Sequence, residues 1–546
     1  MSSSVGLLQR MMRDPHNEGL ILEAGALLRS NPREFIQAAQ TLLPFPQEAT
    51  SSSKDGTWSN CIGNQVCTPA AILRPSSLQD LLDAVTQARG KRTVRAVGSG
   101  HSYSDVAVTD GLLLDPHGMN QVLQLDASVL KDPSAARTLF PVQSGITIAN
   151  LNHALDSVGL ALINMGAYDA QTLAGAISTG THGTGAALGP IASCVRSLVL
   201  VTESGIVYQL EPRNGISDPV KFAARYPGII LKQDDDWFQS NVVAMGCMGL
   251  IYAYTLEVMP AYHLVENRTL TTWEKLKPQL LDAPPGQLPS LITAHRHFEI
   301  DVNPYAVEGA HTCVVVTRAL HTGPTSGSRG FSNWISGLLA QIPLIEETLV
   351  SLINAFPHMV PHLVDTALET LKDSNYIDKS YKVLNLGAAN EASAYAIELS
   401  FDATRFVASI DQLLALFAEY AKAHNWYQSG PIGIRFTAPA QAYLAPQYGR
   451  VTCMAELDML NGTRNGMNLL KAIEQLMCAE KDVRVHWGLE LDTLQGGQIP
   501  MMYPQYAQWL SVYRQLNSTG MFDNSFTTRL GISMGSAATG QAKRTA

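Results

Sequence analysis

The sequence predicts an α+β protein, and three observations carry that prediction. A strand–helix–strand pattern at residues 71–97 runs straight into a glycine-rich loop, Gly98-Ser99-Gly100-His101-Ser102. Two further glycine-rich stretches, Gly175–Gly189 and Met245–Ile251, each lead into an apolar strand. Beyond Pro260 the glycine loops cease, and strands such as Thr312–Thr317 alternate with amphipathic helices such as Ile410–Ala421. That alternation predicts a second domain with an antiparallel sheet flanked by helices. The expected organisation is a helical N-terminal extension and linker at 1–56, a glycine-loop domain at 57–260, the second domain at 261–480, and a C-terminal segment at 481–546.

The elements follow in order. Residues 1–46 show helical spacing, with Phe35, Ala38, Leu42 and Leu43 on one side, before the Ser/Thr-rich linker Thr50–Lys54. Ala71-Ile72-Leu73 reads as a short strand. Ser77-Leu78-Gln79-Asp80 has capping-box form, and Leu78, Leu81, Leu82, Val85 and Ala88 then recur at helical spacing until Gly90. Thr93–Val97 is the next strand. Ser197–Thr202, a turn at Glu203-Ser204-Gly205, and Ile206–Leu210 read as a hairpin, and Tyr252–Val258 as a strand.

Composition narrows the function. Against 38 Lys+Arg stand 47 Asp+Glu, a net charge of −9. An acidic chain without a basic stripe lacks the electrostatic footprint of a nucleic-acid binder. Hydrophobic residues reach 46% and charged ones only 16%, which fits a large core and excludes a disordered chain. Seven cysteines, an odd number, argue against a fully paired disulfide framework, and their spacing makes no metal pattern. No secretory leader is visible at the N-terminus. Thr348–Val364 is uncharged, but Pro357 and Pro361 break it and it falls short of the ~20 residues of a membrane span. The expectation is a cytoplasmic protein, with peripheral membrane contact as the alternative. The oligomeric state is not legible.

The Gly98–Ser102 loop offers successive backbone N–H groups, a nest suited to a phosphate or diphosphate. The spacing is not that of a P-loop and lacks the third glycine of a dinucleotide fingerprint, so the loop alone is a weak signal. The run Arg95-Ala-Val-Gly-Ser-Gly-His-Ser-Tyr-Ser-Asp105, together with Thr109–Leu112, Val142–Gly145, Ala174–Gly185, Pro431–Pro446, His486-Trp487-Gly488, Gly520–Asn524 and Arg529-Leu530-Gly531, resembles the vanillyl-alcohol oxidase / p-cresol methylhydroxylase superfamily. Within it the closest likeness is to the aldonolactone and alditol oxidases, over residues 60 to 535.

The resemblance implies a two-subdomain FAD-binding domain, a substrate or cap domain, and a C-terminal segment that returns to the flavin. It places Val97, Gly98, Ser99, Gly100, His101, Ser102, Thr172, Gly175, Ser178, Thr179, Gly180, His182, Gly183, Gly246, Gly249 and Ile251 at the cofactor. His101 stands where most relatives bond covalently to the flavin. A second link is not expected, since residues 164–185 hold no cysteine. No metal is expected. Relatives carry a Glu-x-Arg pair over the flavin; here Gly433-Ile434-Arg435 keeps only the Arg. Their His-Trp-Gly-Lys or His-Trp-Ala-Lys run is here His486-Trp487-Gly488-Leu489, without the Lys, and an alditol oxidase Ser corresponds to Ala167. Arg435 and His486 are thus the candidate catalytic residues. Glu299, Glu456 or Glu490 could return a carboxylate from another strand, although ordinary surface or strand-pairing roles are the simpler reading.

A site stripped of polar groups cannot repay desolvation of a polyol, so the expected substrate is a small alcohol less polar than an alditol. The expected reaction is hydride removal from a CH–OH group, with electrons passed to O2 to give H2O2. Gly166 stands where oxidases of this kind keep a glycine and the lactone dehydrogenases an alanine. The adjacent Ala167 would fill the position after a one-residue slip. The alternatives are a dehydrogenase with another acceptor, an oxidative-cyclisation flavoenzyme, and a flavin-retaining binding protein. Finally, Leu349, Ile353, Phe356, Val360 and Val364 form an apolar stripe within 334–364, expected to cap the substrate entrance or touch lipid, with core packing as the plainer reading.

Overall fold

The computed structural model describes residues 3–42, 56–326, 345–386 and 393–534. Three sheets organise it. Ala71–Leu73, Leu112–Leu114 and Val94–Ala96 form a small parallel sheet with Leu112–Leu114 in the centre. The helix Leu78–Ala88 that joins its first two strands in sequence starts on the expected capping box: the Ser77 side chain accepts from Asp80 N–H and Asp80 reaches back. Its apolar stripe, Leu81, Ala84, Val85 and Ala88, packs on Val94, Leu112 and Leu114.

A second sheet runs in the order Ile230–Gln233, Val207–Glu211, Val195–Val201, Leu250–Glu257, Leu139–Gln143. The predicted hairpin is present, with Leu198 opposite Leu210. The three glycine loops lie where these two sheets approach each other.

The third sheet has eight strands, all paired antiparallel, in the order Asp373–Lys379, His263–Thr272, Thr312–His321, His297–Val302, Ile432–Thr437, Thr452–Leu460, Ala394–Asp402, Arg484–Val485. Side chains alternate across it with period two. Ile300, Ile434, Ala455 and Leu399 share one apolar row, and this face packs under the helices Phe406–His424 and Gly466–Met477. The opposite face is polar, which an interior sheet tolerates only when its charges are paired or serve a ligand.

The N-terminal helices Ser3–Arg13, Glu18–Ser30 and Pro32–Leu42 are held on the second half of the chain. Leu7, Leu8, Met11, Leu28 and Phe35 share a core with Leu352, Phe356 and Met359. That contact decides the fate of the expected apolar stripe. Pro357 does split it, into the helices Ile345–Ala355 and Val360–Thr370. Ile353, Phe356, Val360 and Val364 are all buried within the protein, so core packing, not a lipid-facing surface, accounts for them. The part of the stretch at 334–344 lies outside the described residues. Among the described residues no helix is long and apolar enough to cross a membrane.

Candidate active site

A cleft runs between the first two sheets, with about 1110 Å³ of space when the solvent at its mouth is included. Its walls include Val97, Gly98, Ser99, Gly100, His101 and Ser102 from the first loop, and Thr172, Gly175, Ser178 and Thr179 from the second. Gly246, Gly249 and Ile251 come from the third, and His486 and Leu489 from the C-terminal segment.

The local sequence explains the walls. Thr172 caps the helix Leu173–Thr179, accepting from Gly175 N–H. A Cβ on Gly98 would lie 2.2 Å from Thr172 Oγ1, so only glycine lets the two loops meet. Gly100 takes φ 68° to turn the first loop back. None of the five backbone N–H groups from Gly98 to Ser102 is donated to another described residue. All five residues line the cleft, so this row of spare donors is a fit for the diphosphate of a dinucleotide. The buried Ser144 hydroxyl, also in the cleft wall, is another unspent group. Arg95, 1% exposed and absent from the sequence-derived site, lies beneath the cleft and donates to the carbonyls of Val106, Met245, Gly246 and Phe522. It thereby staples the C-terminal segment to the loops.

His101 lies at one end of the cleft. Its ring stacks on Tyr168 at 4.3 Å, and Nδ1 lies 3.5 Å from Cys61 Sγ. Burial lowers its pKa, with the Glu456 charge opposing, which favours the neutral imidazole. His486 is fixed more firmly. Its Nδ1 accepts the Gly488 N–H at 3.1 Å, which leaves the proton on Nε2. Burial holds it neutral.

Gly180, His182 and Gly183, expected at the cofactor, do not line the cleft. Gly180 ends the helix Leu173–Thr179 in the left-handed region, at φ 88°. Gly183 packs where a Cβ would meet Met165 O at 2.2 Å. His182 turns toward the eight-stranded sheet. Its Nδ1 donates to Gly183 O at 2.8 Å, and Nε2 to both oxygens of Glu398, at 2.8 and 3.0 Å. Both ring nitrogens face acceptors, so His182 is an imidazolium paired with a buried carboxylate. Burial opposes its charge, but Glu398 outweighs burial and raises the pKa. Thr184 continues the seam, donating to Phe298 O and accepting from Phe436 N–H. This stretch therefore joins the cleft to the sheet. Gly166 also stays out of the cleft wall; a Cβ there would press on His182 O and Thr181 Cγ2, both at 3.2 Å.

Arg435 lies on the polar face of that sheet. It bonds Glu299 through Nε at 2.8 Å and Glu456 through Nη1. Strand register explains both partners: Glu299 stands opposite Arg435 on one side, and Glu456 stands opposite Gly433 on the other. Arg318 also reaches Glu299, at 3.2 Å. His486, in the cleft wall, joins this face to the cleft: its ring lies 6.1 Å from that of His182, its backbone N–H donates to Glu398 O, and Glu398 stands opposite Glu456 on the neighbouring strand. The sequence missed Glu398 altogether. Its only signal, a lone acidic residue within an apolar strand, does not name a partner in a distant loop.

The comparisons with known proteins agree with this geometry. Residues 69–211 match the FAD binding domain family, and residues 254–530 match the D-arabinono-1,4-lactone oxidase family. The chain is 29% identical over 488 residues to an L-gulono-1,4-lactone dehydrogenase of Mycobacterium tuberculosis, covering 87% of this chain and 98% of that one. It is 26% identical over 482 residues to the L-gulonolactone oxidase of Mus musculus, covering 87% and 97%. Among solved structures, a solvent-stable cholesterol oxidase aligns with a TM-score of 0.66 at 15% identity, covering 87% and 97%. The cholesterol oxidase from B. sterolicum aligns at 0.62 and 13%, covering 89% and 99%. At those identities the structural likeness speaks for the fold alone. With a cleft, loops and sheet face of this kind, and with half its length matching one family, the chain belongs to the D-arabinono-1,4-lactone oxidase family and is an FAD-dependent oxidoreductase acting on CH–OH donors.

Proposed function

We propose that the protein oxidises a secondary or primary alcohol of a small hydroxylated lactone or polyol and passes the electrons to O2, giving H2O2. One observation carries the reading. His486 in the cleft wall packs against His182 and Glu398, and Glu398 stands opposite Glu456, the partner of Arg435, so a hydroxylated substrate on that face would lie against the flavin. The Gly98–Ser102 N–H groups would hold the FAD diphosphate, and Thr172, Gly175 and Ser178 would line its sugar-alcohol chain. When bound, FAD supplies the hydride acceptor. His486 presents a fixed Nε2–H donor and cannot serve as a base while Nδ1 holds the Gly488 N–H. Arg435, tethered by two carboxylates, orients a substrate oxygen and stabilises developing negative charge. His101, held neutral, is read as the covalent attachment point.

The expectation of a substrate less polar than an alditol rested on Gly433, Leu489 and Ala167. Leu489 does line the cleft, but carboxylates from neighbouring strands surround Gly433, so we adopt a polar, hydroxylated substrate instead. The O2 reading rests on Gly166. Because that residue faces residues 181–182, an added methyl would act by displacing them and not by plugging the cleft. The likeness to a lactone dehydrogenase favours the second reading, another acceptor. Stopped-flow reoxidation of substrate-reduced enzyme in aerated buffer decides: rapid return of the oxidised spectrum with stoichiometric H2O2, slowed in Gly166→Ala, supports the oxidase. Slow reoxidation of the unaltered enzyme, with fast turnover on a quinone or cytochrome, would replace it with the dehydrogenase.

A further inference from the structure

The polar face of the eight-stranded sheet contains a hollow. At Gly433 a Cβ would meet only Asp301 Oδ1 at 3.7 Å, Arg435 Nη2 at 3.8 Å and Glu456 Cβ at 3.9 Å. These are ordinary contacts, so the missing side chain leaves room and the glycine is not forced by crowding. Cross-strand register sets the walls: Asp301 and Glu456 flank Gly433 directly, and Asp458 follows Glu456 on the same face. The carboxylates of Asp301 and Asp458 make no hydrogen bond or ion pair with any other described residue. In a packed interior such groups face either water or a ligand.

The charges on this face are already matched. Arg435 is shared by Glu299 and Glu456, Arg318 by Glu266 and Glu299, and His182 belongs to Glu398. Among the described residues, every cation of this group already pairs with a carboxylate, so a full negative charge on the substrate would stand unmatched. Glu456 differs from the other partners: Glu299 is 9% exposed in its side chain and Glu398 is 3% exposed, whereas Glu456 is 24% exposed. It is the ionic partner whose side chain stays partly exposed, and it stands between Gly433 on one strand and Glu398, the partner of His182, on the other.

We propose that Glu456, reaching across from the neighbouring strand into the hollow left by Gly433, is the substrate-binding carboxylate of this enzyme, and that the hollow takes the hydroxyl groups of an uncharged, polyhydroxylated substrate. The inference rests on the function proposed above and adds the residue and the charge class. Glu456 accepts from a substrate hydroxyl while Arg435 holds the carboxylate in place. Asp301 and Asp458 supply the complementary capacity. Burial, with Glu299 nearby, pushes Asp301 up to about 7, and burial with Glu456 nearby pushes Asp458 well above the carboxylate range, so each can donate as well as accept. Hydroxyl groups need both kinds of partner.

The test uses the FAD-loaded full chain, with L-gulono-1,4-lactone, its hydrolysed anion L-gulonate and xylitol as probes. Affinity is read from perturbation of the flavin spectrum and reactivity from anaerobic flavin reduction. Glu456→Ala is expected to weaken the neutral probes and slow reduction by about 10- to 100-fold, the effect of one hydrogen bond to a charged group. Glu456→Gln should lose less. Gly433 has room for a side chain, so the double variant Gly433→Glu/Glu456→Ala should recover much of the loss, which a merely structural role for Glu456 would not allow. L-gulonate should bind at least tenfold more weakly than its lactone. If the unaltered enzyme handles a neutral probe and Glu456→Ala matches it within twofold, this assignment is overturned and the proposed function stands. If the double variant is no better than Glu456→Ala while both keep full flavin content, Glu456 is structural. If no neutral probe perturbs or bleaches the flavin, the assignment and the function beneath it both fall.

Discussion

Replacing Glu398 by leucine should reverse the pH dependence that His182 gives to stability. In the protein as it stands, Glu398 raises the pKa of His182 above its unfolded value near 6.5. Its stabilisation is therefore complete below that value and is lost as pH rises through the folded pKa. Glu398 is held low by His182 against the opposing effect of burial, and stays ionised in both folded and unfolded chains above pH 5.5, so it adds no slope there. In the Glu398→Leu variant the imidazole keeps its buried place, 4% exposed, without a counter-charge, and burial depresses its pKa. Stability is then lost as pH falls. Above the folded pKa of His182 the variant forfeits one buried hydrogen bond, about 1–3 kcal/mol. At pH 5.5 the cost approaches that of breaking a buried ion pair, about 3–5 kcal/mol. At about 2.1 cal/mol/K of unfolding entropy per residue, a chain of 546 residues loses about 1 °C of Tm per kcal/mol. The gap in Tm should therefore be about 3–5 °C at pH 5.5 and shrink toward about 1–3 °C as the pH rises through the folded pKa of His182. Far-UV circular dichroism melts of both holoproteins, at fixed protein and FAD concentrations, measure it. Parallel Tm curves across that range would refute the imidazolium assignment.

Further expectations concern the cleft and the helical contact. His101→Ala should release flavin on acid precipitation, whereas the unaltered protein should give a yellow pellet; free FAD in its supernatant would exclude the covalent link. Gly98→Ala must displace Thr172, whose capping bond is worth about 1 kcal/mol, so flavin content after purification should fall before the melting temperature does. Phe356→Ala should cost about 3–5 kcal/mol through a cavity between the N-terminal helices and Ile345–Ala355, with KM unchanged and no change in liposome flotation.

Local features were legible in the sequence, and non-local ones were not. The capping box at Ser77–Asp80, the hairpin around Ser204-Gly205 and the loop at Gly98–Ser102 are written in neighbouring residues, and each formed where expected. Boundaries moved by a few residues, as with Leu250–Glu257 for the strand expected at 252–258. The return of a carboxylate to Gly433 was visible only as one option among Glu299, Glu456 and Glu490. Strand register chose among them: Glu456 came to lie opposite the gap, and Glu299 opposite Arg435. His182 followed the same logic, since a histidine in a glycine loop points to a ligand until a distant strand supplies Glu398. The stripe at 349–364 was legible as apolar, but only the fold shows the N-terminal helices that cover it.

The most direct test of the account is anaerobic mixing of the FAD-loaded protein with neutral lactones and polyols, followed at the flavin absorbance. The account predicts full bleaching by at least one hydroxylated lactone or polyol, and loss of most of that rate in Arg435→Met, which keeps its flavin. A flavin that dithionite reduces but no hydroxylated substrate bleaches, or an Arg435→Met enzyme reduced as fast as the original, would contradict it.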